Sequence, residues 1–344
     1  MTVVLMHRMD RLIPEQIHSA KAMRRIYAYY LRIFLCILAA LLSACGDSTQ
    51  TSDFAADPQQ QAQQIDAIQN NLSRLSQDLD NNRIRNAAIL REYAAVLSRQ
   101  RPELSQLINN LAADATQQGA LYHGLQQRLN TLQTESGAFL NPAQKQDEIA
   151  SLLAATQGDA FNDALSDVVN VLADMSNGSL ARVNAAPKSV SESQNQAQDL
   201  GAGSQLIGNP AYGEWVTQSN GMSFWEWYGM YALFSHLVDG RRHDYGYWSR
   251  HRDYSYHHDF GHRTYASHQE QTKRQNLDQR YAKRTGSDGR RHTSTYSRSR
   301  SGAKGISNTS KRAASTFSRA SNRSSVTGSL RNSSTYSRGI SPGK

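Results

Sequence analysis

The first half of the chain places apolar residues at the spacing of amphipathic helices. Steps of three and four, as in the seam of a coiled coil, separate Ile65, Ile68, Leu72, Leu75 and Leu79. Asn82 and Asn86 hold the next two seam positions, and helix-forming residues continue to Gln100. The pattern therefore predicts a first helix that ends near residue 100 and carries only a short coiled-coil seam.

Three further helices are predicted before residue 180. Pro102 begins the second, whose apolar face holds Leu104, Leu107, Ile108, Leu111, Leu121, Leu125, Leu129 and Leu132. Asn141-Pro142 is a helix start signal for the third, and the fourth carries Phe161, Leu165, Val168, Val169 and Leu172. Helices with narrow apolar stripes are stabilised mainly by packing. The prediction is a mainly α fold in which 58–180 form an antiparallel helical hairpin, a bundle or a coiled coil, with oligomerisation through the helices left open.

Two segments of different character follow the helices. Residues 181–210 are rich in Ser, Gln, Asn, Ala and Gly and show no apolar period, which predicts a linker. Residues 211–240 are aromatic, and helical spacing predicts an amphipathic helix with one aromatic face. The candidate docking residues are Trp225, Trp227, Tyr228, Tyr231 and Phe234. This face either lies in a membrane interface or packs on the helical body or a partner protein, the commoner fate of such a stripe.

The N-terminal region contains a short apolar run after basic residues. Arg24, Arg25 and Arg32 precede the run Ile33–Leu42. About a dozen apolar residues are too few for a permanent membrane-spanning helix, which needs about 20. A basic start followed by a run of this length is typical of a signal peptide. We predict that translation starts at Met23, with 1–22 not part of the protein made in cells, and that 23–44 are the signal peptide.

The end of the apolar run carries a more specific motif. Leu42-Ser43-Ala44-Cys45 resembles the lipobox of bacterial lipoproteins. That resemblance implies cleavage after Ala44, a covalent diacylglycerol on the Cys45 sulfur, acylation of the new amino terminus and a tether over 45–57; no other cofactor is predicted. Two or more acyl chains give stable membrane anchoring. In Gram-negative lipoproteins, Asp directly after the lipidated cysteine favours retention at the inner membrane. Gly46 holds that position here, so the resemblance indicates the outer membrane.

Charge divides the predicted mature chain into unlike halves. Residues 45–200 hold 10 Lys+Arg against 18 Asp+Glu, whereas 201–344 hold 22 against 9. Residues 269–344 are rich in Ser, Arg, Thr and Gly and include STYSR-like repeats at 294–298, 315–319 and 334–338. So few apolar residues predict a disordered cationic tail, which attracts polyanions. The halves are thus interpreted as an acidic body and a basic interaction arm.

Histidines concentrate in residues 241–268, a segment also rich in Tyr. His257, His258, Asp259 and His262 form a candidate metal site, because imidazole and carboxylate suit zinc or copper. Their spacing matches no regular ligand motif. The histidines also offer a protonation effect that strengthens attraction to polyanions as pH falls toward 6.

Three functional hypotheses follow. The favoured one is a non-enzymatic cell-envelope lipoprotein, held at the membrane by Cys45, whose cationic tail contacts an anionic envelope polymer or a partner protein. The second is a binder of polyanions or nucleic acid at the cell surface; a lipidated chain does not share a compartment with cytoplasmic RNA, which disfavours nucleic acid. The third is a metal-dependent protein that uses the histidine-rich segment.

Overall fold

A computed structural model of the chain describes residues 57–135, 137–237, 243–285, 296 and 301–316. In this part of the chain the fold is mainly α, with one two-stranded antiparallel sheet. The predicted fold class is therefore confirmed. No helix among the described residues is both long enough and apolar enough to cross a membrane.

Seven helices replace the four predicted between residues 58 and 180. They are α1 (Pro58–Asp80), α2 (Arg85–Gln100), α3 (Ser105–Ala112), α4 (Ala120–Thr134), α5 (Pro142–Ala155), α6 (Gly158–Ala164) and α7 (Ser166–Met175). The predicted helix starts at Pro102 and Asn141 both mark the beginning of a helical element. A 3₁₀ turn begins at Pro102, and the Asn141 side chain accepts a hydrogen bond from Gln144 N at the start of α5.

The predicted first helix is broken after residue 80. Asn82 adopts a left-handed conformation with φ of 55°, a geometry that asparagine tolerates better than most residues. The chain then restarts as α2, and Asn86 is fully buried there. Its side-chain amide donates to the Asn162 carbonyl at 2.6 Å, and its backbone N–H donates to Asn162 Oδ1 at 2.8 Å. The second seam asparagine therefore joins α2 to α6.

The predicted seam is part of the core of this single chain. Ile68, Leu72, Leu75 and Leu79 are buried. Helix α1 packs against α4 and α5, while α2 packs against α3 and α7. The bundle interpretation is therefore confirmed for 58–175.

The linker prediction for 181–210 is wrong. Helix α8 (Lys188–Asn195) forms there, a 3₁₀ turn follows at Ser204–Leu206, and Leu206 and Ile207 are fully buried. Side-chain contacts hold the segment in place: Asn195 Nδ2 donates to Asp253 Oδ1 at 2.7 Å. Long-range polar contacts of this kind leave no apolar period for a sequence pattern to show.

The aromatic helix predicted for 211–240 is also wrong for most of its length. Strands β1 (Gly213–Thr217) and β2 (Ser223–Trp227) form an antiparallel hairpin, with Trp215 opposite Trp225. The turn spans residues 218–221: Gly221 N donates to the Gln218 carbonyl at 2.9 Å, and Gly221 has φ of 77°. In the described part of this segment the helical elements are a 3₁₀ turn at Gly229–Tyr231 and α9 (Phe234–Leu237), and Val238 lies outside the described residues.

The basic half contributes ordered elements to the same compact unit. These are α10 (Tyr245–His251), a π-helical turn (His257–Gly261), α11 (His262–Tyr265) and α12 (His268–Thr285). The segment 301–316 packs against the acidic half: Ser307 N and Ser310 Oγ both donate to Asp163 Oδ2, at 2.9 and 2.8 Å. The prediction of disorder from residue 269 is therefore wrong for 269–285 and 301–316; most of the predicted tail lies outside the described residues.

Candidate functional site: an aromatic and cationic cavity

The hairpin assembles an aromatic cluster that sequence spacing did not reveal. Trp215 is its centre: its ring centroid lies 5.4 Å from that of Trp225, 5.0 Å from Tyr245 and 5.1 Å from Trp248. Trp225 and Trp248 are buried, whereas Trp215 is half-buried. The strand pairing fixes the first two indoles, and α10 brings Tyr245 and Trp248 to them.

A cavity of about 290 Å³ opens beside this cluster. The four aromatic residues line it on one side, and α12 lines it on the other with Lys273, Arg274 and Arg280. Glu214 and Glu270 also line it. The cavity therefore combines an apolar aromatic wall with a charged rim in which cations outnumber carboxylates.

Two glycines allow the backbone to approach the aromatic wall. A side chain at Gly213 would place its Cβ 2.3 Å from the Glu226 carbonyl oxygen and 2.7 Å from Trp225 Cζ2. Gly208 has φ of 82°, and a Cβ there would lie 3.0 Å from the Trp248 ring. Glycine is thus required at both positions by the packing of the indoles.

His258 lies at the base of the cavity as a neutral imidazole. Its Nε2 lies 2.7 Å from the Ile207 carbonyl oxygen, so Nε2–H donates and Nδ1 accepts from Arg274 Nη1 at 3.2 Å. Burial, reinforced by the positive charges of Arg252 and Arg274, holds the pKa of His258 well below its usual value. The imidazole consequently positions Arg274 and carries no charge of its own.

The predicted metal ligands are close in space but do not form a metal site. The ring centroids of His257 and His258 are 5.0 Å apart, and those of His257 and His262 are 5.6 Å apart. Asp259 is occupied by Arg252, whose two terminal nitrogens lie 2.7 and 3.0 Å from its carboxylate oxygens. Over the described ranges, no three His, Cys, Asp or Glu side chains form a group that could hold a metal ion. The structure therefore does not support these four residues as a ligand set, since Arg252 engages Asp259.

The five predicted docking residues are divided between core and surface. Tyr231 and Phe234 are buried in the body, and the Tyr231 ring lies edge-on to Tyr212 at 5.3 Å. Trp225 is buried and Trp227 half-buried within the hairpin. Tyr228 is 42% exposed. A single docking face made of all five is therefore wrong, and only Tyr228 is well exposed.

A second cavity of about 610 Å³ adjoins the first. Helix α4, the buried Arg128–Glu148 pair and the start of α12 line it. Pro210, Tyr228 and Glu270 line both cavities. The exposed Tyr228 ring therefore lies on the boundary between two adjoining depressions.

The predicted lipid-attachment residue Cys45 and the lipobox residues Leu42, Ser43 and Ala44 lie outside the described residues. The cavity residues that sequence reasoning missed are Trp215, Tyr245, Trp248 and the cations of α12. The Asn220-Gly221 turn signal between two aromatic runs would have predicted the hairpin, and with it the pairing of Trp215 with Trp225. Comparison with protein-family models, with curated proteins and with solved structures gives no match.

Proposed function

We propose that this chain is a lipid-anchored protein of a bacterial cell envelope that binds an anionic envelope component. The observation that carries the anchor is the Leu42-Ser43-Ala44-Cys45 motif after a basic, then apolar, segment. Helix α1 begins at Pro58, only 13 residues after Cys45 in the sequence, so a lipid on Cys45 would hold this helix close to a membrane. By resemblance to other lipoproteins, Gly46 supports the outer membrane as its location.

The proposal assigns a binding role and no catalysis. Two fully buried acids whose pKa is raised by burial support this, because their hydrogen bonds join elements of the fold. Asp114 accepts from Tyr212 Oη at 2.9 Å, and Asp167 accepts from the backbone of the 255–257 segment. The cationic rim of α12 supplies attraction for an anion.

Metabolic labelling with a fatty-acid analogue tests the anchor. We expect label on the wild type and on Cys36→Ala, and none on Cys45→Ala, which should also leave the membrane fraction. Cys36→Ala is the matched control because Cys36 lies in the predicted signal peptide. An unlabelled wild type, or label that survives Cys45→Ala, refutes lipid attachment at this residue.

A further inference from the structure

We propose that the aromatic and cationic cavity binds an acidic saccharide, a hydroxyl-bearing ring with a carboxylate or phosphate substituent. This inference rests on the proposed contact with an anionic envelope component and names its chemistry. It concerns the cavity between the β1–β2 hairpin and α12, not the C-terminal repeats.

The aromatic wall offers a single ring surface on which a sugar can pack. Trp215 meets Trp225 at 64°, Tyr245 at 87° and Trp248 at 52°. None of these three rings lies parallel to Trp215, so the rings do not form a parallel slot around it. A pyranose needs only one aromatic surface, because its apolar C–H face packs on a single indole.

The polar groups of the rim match a ligand that has both hydroxyls and a negative charge. Lys273 and Arg280 are exposed cations on α12 that can pair with a carboxylate or phosphate. Glu214 and Glu270 can accept hydrogen bonds from hydroxyl groups.

Two indole N–H groups of the aromatic wall are enclosed by the protein. Trp225 Nε1 and Trp248 Nε1 are buried and have no hydrogen-bond partner among the described residues. Both rings line the cavity. The wall therefore offers a ligand its ring surface, and the polar contacts come from the charged rim.

The adjoining cavity indicates a ligand longer than one ring. The first cavity, about 290 Å³, lies just below the usual range for ligand pockets, roughly 300–1,000 Å³. A chain that continues past Tyr228 and Glu270 enters the second cavity of about 610 Å³. We therefore expect an oligosaccharide, with Tyr228 under the junction between two units.

Calorimetric titration of the full chain, purified in detergent, tests the proposal with defined probes. Tetragalacturonate and maltotetraose carrying a 6-phosphate are the acidic probes, and maltotetraose and a single-stranded tetrathymidylate are the comparisons. We expect at least one acidic saccharide to bind more tightly than both comparisons, and its affinity to fall as salt is raised. Which of the two binds distinguishes a carboxylated from a phosphorylated envelope glycan. Equal binding of neutral maltotetraose, tighter binding of the oligonucleotide, or no saccharide binding overturns the proposal.

Matched variants locate the binding. Lys273→Gln removes an exposed cation of the cavity and should weaken affinity about twofold to fivefold. Lys283→Gln, at an exposed position of the same helix that does not line the cavity, should leave it unchanged. Trp215→Ala should weaken affinity by about tenfold or more. Equal losses in the two lysine variants, or unchanged affinity in both Lys273→Gln and Trp215→Ala, overturn the assignment of the cavity.

The two proposals fail separately. A wild type without fatty-acid label, or label that survives Cys45→Ala, refutes the anchor at Cys45 and leaves the titrations interpretable. Conversely, a labelled chain that binds no acidic saccharide refutes this inference while the anchor stands.

Discussion

Asp167, at the start of α7, connects the helical bundle to the histidine-rich segment. Its carboxylate accepts hydrogen bonds from Ser255 Oγ at 2.9 Å, Tyr256 N at 2.8 Å and His257 N at 2.9 Å. The side chain is 1% exposed. Burial raises its pKa to about 7, although the three donors act in the opposite direction. The substitution Asp167→Asn removes this titration and keeps the volume of the side chain.

The sign of the pH effect follows from that raised pKa. Between about pH 4 and 7 the folded protein keeps a proton on Asp167 that the unfolded chain has lost, so this group stabilises the fold at low pH and the contribution disappears as pH rises through 7. From pH 5 to 8 the wild type should lose about 3 kcal/mol of unfolding free energy through Asp167. The asparagine variant lacks that loss. Its destabilisation relative to the wild type should therefore be about 3 kcal/mol larger at pH 5 than at pH 8.

Urea denaturation of the full chain at pH 5 and 8 measures this difference. The pH-dependent contributions of the other titrating groups are the same in variant and wild type, so they cancel when the two unfolding free energies are subtracted. Asp66→Asn, at an exposed position of α1, is the matched control and should give the same small difference at both values. If Asp167→Asn is equally destabilising at both pH values, or more so at pH 8, the three donors keep the carboxylate ionised and the reasoning from burial is refuted.

Two further predictions concern buried charge. Burial lowers the pKa of His257 to about 3, so its contribution to stability is complete above about pH 6.5 and is lost as pH falls toward 3. The variant His257→Gln should therefore lose less thermal stability than the wild type when pH is lowered from 6 to 4. An equal loss in both proteins contradicts this prediction. Arg128 pairs with Glu148 at 2.7 Å with both side chains buried, so Arg128→Ala should cost roughly 3–5 kcal/mol in urea denaturation. The exposed Arg83 pairs with Asp78, and Arg83→Ala should cost less than about 1 kcal/mol; similar costs for the two arginines would contradict the argument from burial.

Periodicity predicted most of the bundle because its helices bury one continuous apolar face. Leu104, Leu107, Ile108 and Leu111 are all buried, as their spacing requires. The break at Asn82 was missed because a single left-handed residue leaves the apolar period almost unchanged. The burial of Asp163 and Asp167 was missed for a related reason. In the sequence pattern of a helix, a carboxylate that accepts buried hydrogen bonds cannot be distinguished from one that faces solvent.

The aromatic site was hidden by an ambiguity between two periods. Trp225 and Trp227 are two residues apart, as on one strand, yet Trp227, Tyr231 and Phe234 also fit one face of a helix. Turn chemistry decides between them, because Asn220-Gly221 favours a hairpin before the helical spacing can begin. Local turn residues therefore carried information that the apolar period lacked.

The order of α12 depends on contacts that composition cannot show. Leu277 is buried, Tyr245 Oη donates to Asp278, and Arg280 Nη1 donates to Thr217 Oγ1 at 3.3 Å. These contacts attach a strongly basic helix to the hairpin and α10. The division into an acidic body and a basic arm therefore does not hold for this part of the chain, because α12 belongs to the body. Lys273, Arg274 and Arg280 line the cavity together with the aromatic wall, so the ligand we propose has to match these cations in charge and the wall in shape.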